Sequence, residues 1–317
     1  MEIKFIGFVG KPIEKLRGPF EDLMSKLAQG LELDSLKYII ISEDFKTELF
    51  KFQKSKGLRE GCTENEVGVA GGKVVAYIEA GELEHIIFLH PNVFGLLFSN
   101  ESNDVLNGIQ IMRHELCHVH DDYLKSKVLS FDFITNQEKD FEWALKLHAD
   151  SIWSEFIANK LSKITVEIEG TKISTPTLVS FTQDIPLFID SIFKMKADTK
   201  NYIDAYRTHR DITRLYLEIQ KCSTFFFTMA GRIYGLLSLY EEPLEILDEG
   251  IKKTYAFEIW KPLCQSLDAL NSRYPNWSGV QEFDELSQVV LKTWNILGIY
   301  PRVTESGLYI DVPYNGK

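Results

Sequence analysis

Two histidines flank a glutamate in the pentapeptide His114-Glu115-Leu116-Cys117-His118. Histidines four apart on a helix project from one face, so both imidazoles can reach a single metal ion. Glu115 stands beside the first of them and can reach a water molecule bound to that ion. The chemistry that follows is metal-assisted hydrolysis, in which the ion activates water and the carboxylate moves its proton. A hydrolytic zinc ion takes three protein ligands and keeps a fourth position for water. Glu155, 37 residues after His118, is the natural third ligand. It sits in Trp153-Ser154-Glu155-Phe156-Ile157-Ala158-Asn159. Ala158 is small enough to let a second helix approach. Asn159 lies one turn beyond Glu155 and could hydrogen-bond the outer nitrogen of a ligating histidine.

These residues need helices to hold them. Val105, Ile109, Met112, Leu116, Val119 and Tyr123 step by three and four, the apolar stripe of an amphipathic helix. His114 and His118 each lie two residues, about 200° of turn, from Leu116, so the histidine pair faces away from the stripe. A second long helix is expected from about Gln137 to Ser162, after a polar loop over Lys125–Asn136. Upstream, Glu2–Val9, Lys37–Ser42, Val67–Ile78 and His85–Leu89 read as strands. The last two are joined by the turn Glu79-Ala80-Gly81-Glu82. Phe20–Gly30 and Glu43–Lys54 read as helices, the second with Ser42 at its N-cap. A hairpin is expected over Ile164–Ile173, around Glu169-Gly170. Downstream the expected helices are Pro176–Lys196, Lys200–Gln220, Ser223–Tyr240, Pro243–Asp268 and Gln281–Leu297, with Leu308–Pro313 a closing strand.

An HExxH helix followed by a helical E-x-x-A-N segment resembles the gluzincin metallopeptidases, and within them most closely the ImmA/IrrE-type zinc peptidases. The likeness spans Gln110 to Leu161. It implies His114 and His118 as zinc ligands, Glu115 as general base and acid, and Glu155 as the third ligand. It places Asn159 where many gluzincins carry a carboxylate behind the ligands. It also implies a zincin-like core and a cytoplasmic, regulatory protease. The expected fold is therefore α+β: a zincin-like core with a small mixed sheet and the HExxH helix, then a mainly α-helical C-terminal region. The expected division is a metallopeptidase domain over 1–163 and a helical region over 164–317.

Other residues compete for roles. A third histidine six residues after His118 would signal a metzincin, but Leu124 stands there. His120 points elsewhere on the helix. His148 shares the face of Glu155 two turns earlier and is either a cleft residue or a surface histidine. Asp150 lies off that face; Asp121 and Asp122 begin the following loop. Cys117 reads as a buried thiol. The strands at 67–78 and 85–89 are each either a core strand or one that lines the cleft beside a peptide. Tyr123, His148, His209 and Tyr309 are equal candidates for the oxyanion donor.

The chain's 317 residues are 44% hydrophobic and 26% charged, which excludes a disordered chain or a coiled-coil rod. A net charge of −11 argues against nucleic acid as a partner. Four cysteines without paired spacing suit a reducing compartment. No stretch has the length of a bilayer span, and the N-terminus lacks the features of a signal peptide. The expected protein is thus cytoplasmic, binds Zn²⁺ and cleaves a polypeptide, which could itself be a regulatory protein. The sequence leaves oligomeric state open. The competing reading is a non-catalytic zinc-containing binding module, against which the intact Glu115 weighs. A metal hydrolase acting on a non-peptide amide is a third.

Overall fold

The computed structural model describes residues 1–317 except 9–11, 63, 66–67, 70, 169–170, 176–177, 239–244, 306 and 314–317. The chain is mixed α+β and forms two compact units, Met1–Thr135 with Leu161–Pro176, and Asn136–Lys160 with Thr177–Lys317. This differs from a single cut after residue 163. The helix that carries Glu155 groups with the C-terminal helices, because its buried side chains pack against them.

The first unit runs β1 (Glu2–Ile6), α1 (Arg17–Leu27), β2 (Leu36–Ser42) and α2 (Phe45–Ser55). Two short strands follow, β3 (Glu64–Asn65) and β4 (Gly68–Val69), then β5 (Gly72–Glu79) and β6 (Glu82–Leu89). Helices α3 (Pro91–Leu97), α4 (Ser102–Lys125) and α5 (Phe131–Ile134) come next. The chain passes through α6 (Phe141–Leu161) before the hairpin β7 (Ile164–Ile168) and β8 (Thr171–Thr175). The expected turn residues of that hairpin, Glu169 and Gly170, lie outside the described residues, as do parts of the strand expected from Val67.

A four-stranded sheet has the order β1-β2-β6-β5. Strands β1, β2 and β6 are parallel, and β5 runs antiparallel to β6. Ala80 and Gly81 both take positive φ (51° and 85°), the backbone that a two-residue hairpin turn requires. Strand alternation explains the two apolar layers. Ile39, Ile41, Ile87 and Leu89 face a core shared with Phe20, Met24, Phe94, Ile109, Met112, Leu116 and Val119 from α1, α3 and α4. Ile40, Ile86, Phe88, Val75 and Tyr77 face the other way, against Phe45 and Leu49 of α2. Each such side chain contributes roughly 1.5–3 kcal/mol by leaving water.

The second unit continues with α7 (Leu178–His209), α8 (Ile212–Leu237), α9 (Glu245–Lys252), α10 (Phe257–Arg273) and α11 (Asp284–Ile296). The antiparallel pair β9 (Tyr300–Thr304) and β10 (Gly307–Asp311) closes it. Three helices expected between 176 and 240 are two longer ones. Nothing at 197–199 or 221–222 breaks a helix, since neither stretch holds Gly or Pro. The break comes at Arg210, whose φ is 60°, followed by Asp211, whose carboxylate accepts from Arg214 N. The helix expected over 243–268 is two, α9 and α10. The expected loop after Lys125 contains α5. Asp44, not Ser42, caps α2: its Oδ1 accepts from Thr47 N at 3.2 Å, while Ser42 Oγ accepts from Asp44 N. No helix among the described residues is long and apolar enough to cross a membrane.

Candidate metal centre

Helix α4 carries HELCH. Its stripe is buried as the periodicity predicts, with Met112, Leu116 and Val119 at 0% exposure. That leaves His114 and His118 half-buried on the opposite side. Their Nε2 atoms are 2.9 Å apart and their rings cross nearly at right angles, 87°. Two nitrogens bonded at zinc distances across a tetrahedral angle would be about 3.3 Å apart, so the pair is close to ligating geometry.

Polar anchors fix the helix along its length. The Arg113 guanidinium, beside His114, is buried and donates to the carbonyls of Leu27 and Gln29 at the end of α1. A cation there also offsets the negative end of the α1 dipole. His120 Nδ1 accepts from Glu32 N at 2.8 Å. Burial holds that imidazole below its ordinary pKa, as an acceptor nitrogen needs. At the last turn, the fully buried Lys125 Nζ lies 3.0 Å from both Asp121 Oδ2 and Asp122 Oδ1. Asp122 Oδ2 is 3.4 Å from His85 Nε2, and His85 Nδ1 is 2.9 Å from Ser35 Oγ. Burial alone would raise the Asp122 carboxyl; Lys125 and His85 outweigh it and hold the group below the carboxylate range. His85 thus ties β6 to the end of α4. Its partners, far apart in sequence, gave no local signal. Cys117 is buried as expected, and burial pushes its thiol up to about 12.

Helix α6 carries Glu155. Ala149, Ile152, Trp153, Phe156 and Ala158 are all at 0% exposure, so the segment is buried on several sides. Two glycines of α8 bring that helix close to α6, at Ile152 and Phe156 rather than at Ala158. A Cβ on Gly231 would lie 2.2 Å from Ile152 O, and one on Gly235 would lie 2.4 Å from Phe156 O. Backbone therefore meets backbone on both sides of Glu155. The spacing Gly231-Arg232-Ile233-Tyr234-Gly235, two glycines four apart on an apolar helix, is the signal that could have found this contact. Asn159 Nδ2 donates to Glu155 O at 2.7 Å, so it braces the helix turn that presents the carboxylate.

His114, His118 and Glu155 each offer one ligand atom, and these atoms all lie within 4.8 Å of one another. Among the described residues this is the one group of three or more side chains that could hold a metal ion. Two imidazoles and a carboxylate suit zinc as a donor set.

Glu115 is buried on the same turn. Its Cγ, Cδ and Oε1 are the atoms nearest to where a Cβ of Gly72, the first residue of β5, would stand. The two strands considered for the cleft separate clearly. β6 has neighbours on both sides and is a core strand, whereas β5 is at the sheet edge. His90 N donates to Gly71 O, and Gly72 lies opposite Leu89. By antiparallel alternation, the N–H and C=O of Gly72, Val74 and Ala76 point away from β6, along the edge beside Glu115.

The other expected roles sort by contact. His90 caps α3, its Nδ1 accepting from Asn92 N. His148 is neither a surface residue nor in the ligand group; it packs on Phe227 and Trp294, and burial pushes it down to about 4. Tyr123 donates to Asp34, His209 accepts from Asp211 N, and the Tyr309 ring lies under Arg302. No family model matches the chain, and neither a curated protein nor a solved structure does.

Proposed function

We infer that the protein is a zinc-dependent metallopeptidase of the gluzincin kind, resembling the ImmA/IrrE-type enzymes. One observation carries the reading: three ligand atoms suited to zinc converge on a group whose helix also presents Glu115. A bound zinc ion would supply Lewis acidity and bring the pKa of its water toward neutrality. His114, His118 and Glu155 would hold it. Glu115 would take a proton from the attacking water and pass it to the leaving amine. A structural zinc site has no use for that base. The edge of β5 supports a polypeptide substrate, because the outward N–H and C=O groups of Gly72, Val74 and Ala76 can pair with an extended peptide backbone. Four cysteines without paired spacing support a reducing, cytoplasmic setting.

Metal content of purified protein tests the reading. Wild type should hold about one zinc per chain, and His114→Ala and Glu155→Ala should each lose at least about a hundredfold in affinity. Glu115→Gln should keep the metal while peptide cleavage falls by about a thousandfold or more. Wild type without zinc after reconstitution would end the metal-centre reading. Glu115→Gln cleaving at the wild-type rate would end the mechanism. Metal retained in a protein that cleaves none of a broad peptide library would favour the binding module.

A further inference from the structure

Gly72 stands directly against Glu115. A Cβ at this position would lie 2.7 Å from Glu115 Cγ, 2.9 Å from Cδ and 3.1 Å from Oε1, its three nearest atoms. The backbone gives no other reason for glycine here. Gly72 is not among the residues with positive φ, and it is a regular strand residue opposite Leu89. Glycine inside a strand weakens it, because it orders a more flexible chain and brings no side chain to pack. The neighbouring Gly71 differs: a Cβ there would strike Val93 Cγ2 at 2.7 Å and Ile111, side chains that pack against the core.

We propose that Gly72 is a positioning residue for Glu115, leaving open the space that the carboxyl side chain occupies beside the edge of β5. The inference rests on the metallopeptidase reading and adds to it a residue that touches neither metal nor proton. Alanine fits the local backbone. The steric cost of adding it falls on the flexible Glu115 side chain, so the fold and the three ligands should survive while the base moves.

Cobalt and acetohydroxamate test this without a substrate. Co²⁺ reports occupancy of the ligand group by its visible absorption. Acetohydroxamate chelates the metal and shares a proton with a carboxylate placed beside it. The four proteins compared are wild type, Gly72→Ala, Glu115→Gln and the double variant. All four should bind about one Co²⁺ per chain. Gly72→Ala and Glu115→Gln should each weaken acetohydroxamate about tenfold, the effect of losing one charge-assisted hydrogen bond. The double variant should be no weaker than Glu115→Gln alone, because both changes act through one group. Gly72→Ala binding acetohydroxamate like wild type would overturn the proposal. So would losses that multiply in the double variant, or a Gly72→Ala protein that does not fold, since the cost would then fall on the strand. Wild type that takes up no Co²⁺ would overturn the metal-centre reading itself and this inference with it, a result distinct from the others.

Discussion

Helices α4 and α6 each carry side chains of the candidate metal group, and they are held by opposite means. α4 has one apolar stripe on the sheet and a series of polar anchors: Arg113 on the end of α1, His120 on Glu32 N, Lys125 between two aspartates. α6 is buried on several sides, and α8 meets it backbone to backbone at Gly231 and Gly235. Directional bonds fix the rotation and axial position of a helix that leaves His114 and His118 half-buried on its other side. Close packing against a neighbouring helix does the same for α6. The two kinds of support should fail differently: the first through charge left unpaired, the second through volume.

The sharpest break is expected at Lys125. Lys125→Met leaves the Asp121 and Asp122 carboxylates without their buried cation and should cost about 3–5 kcal/mol. Urea unfolding at neutral pH measures it, and a loss under 1 kcal/mol would show that the charge cluster does not support α4. Gly231→Ala tests the other helix. A methyl group cannot fit 2.2 Å from a carbonyl oxygen, so α6 and α8 must separate, at about 1–3 kcal/mol. Zinc affinity should fall with it, although residue 231 is no ligand. Unchanged stability and metal binding would mean the glycine contact does not position Glu155.

A third test sharpens the comparison through pH, with a loss spread over more than two pH units. His148 packs on aromatic rings of the second unit and titrates at about 4, below the ordinary 6.5 of a histidine. As pH falls below about 6.5 the unfolded chain takes up this proton and the folded chain does not. Stability is therefore lost between pH 6.5 and 4, by at most about 1.4 kcal/mol per pH unit. His148→Gln should flatten that part of the stability curve, read as thermal midpoint against pH. An equal acid slope in wild type and variant would place the sensitivity elsewhere.

The same contrast decides how much was legible. The α4 stripe, the strands at 2–6, 36–42, 72–79 and 82–89, and the turn at Ala80-Gly81 follow from local periodicity and turn chemistry. The helices between 176 and 270 were harder. They are long and broadly apolar, so no change of period marked where one ended, and Arg210 in a left-handed conformation carries no signature a glycine would. Asp44 and Ser42 are both good caps two residues apart, and only the backbone chose between them.

Sequence by itself determined the candidate donor set. HELCH placed two imidazoles and a carboxylate on one helix, and Glu155 stood ready on another, because helical spacing is a local rule. Tertiary structure decided what brings them to one group and what surrounds them. It chose β5 over β6 as the open edge, since pairing order is set by partners distant in the chain. It placed Gly72 against Glu115, Gly231 against Ile152, and His85 between Ser35 and Asp122. Those contacts join residues 37 to 79 positions apart, and no local rule links them. They depend on packing that only the folded chain brings about.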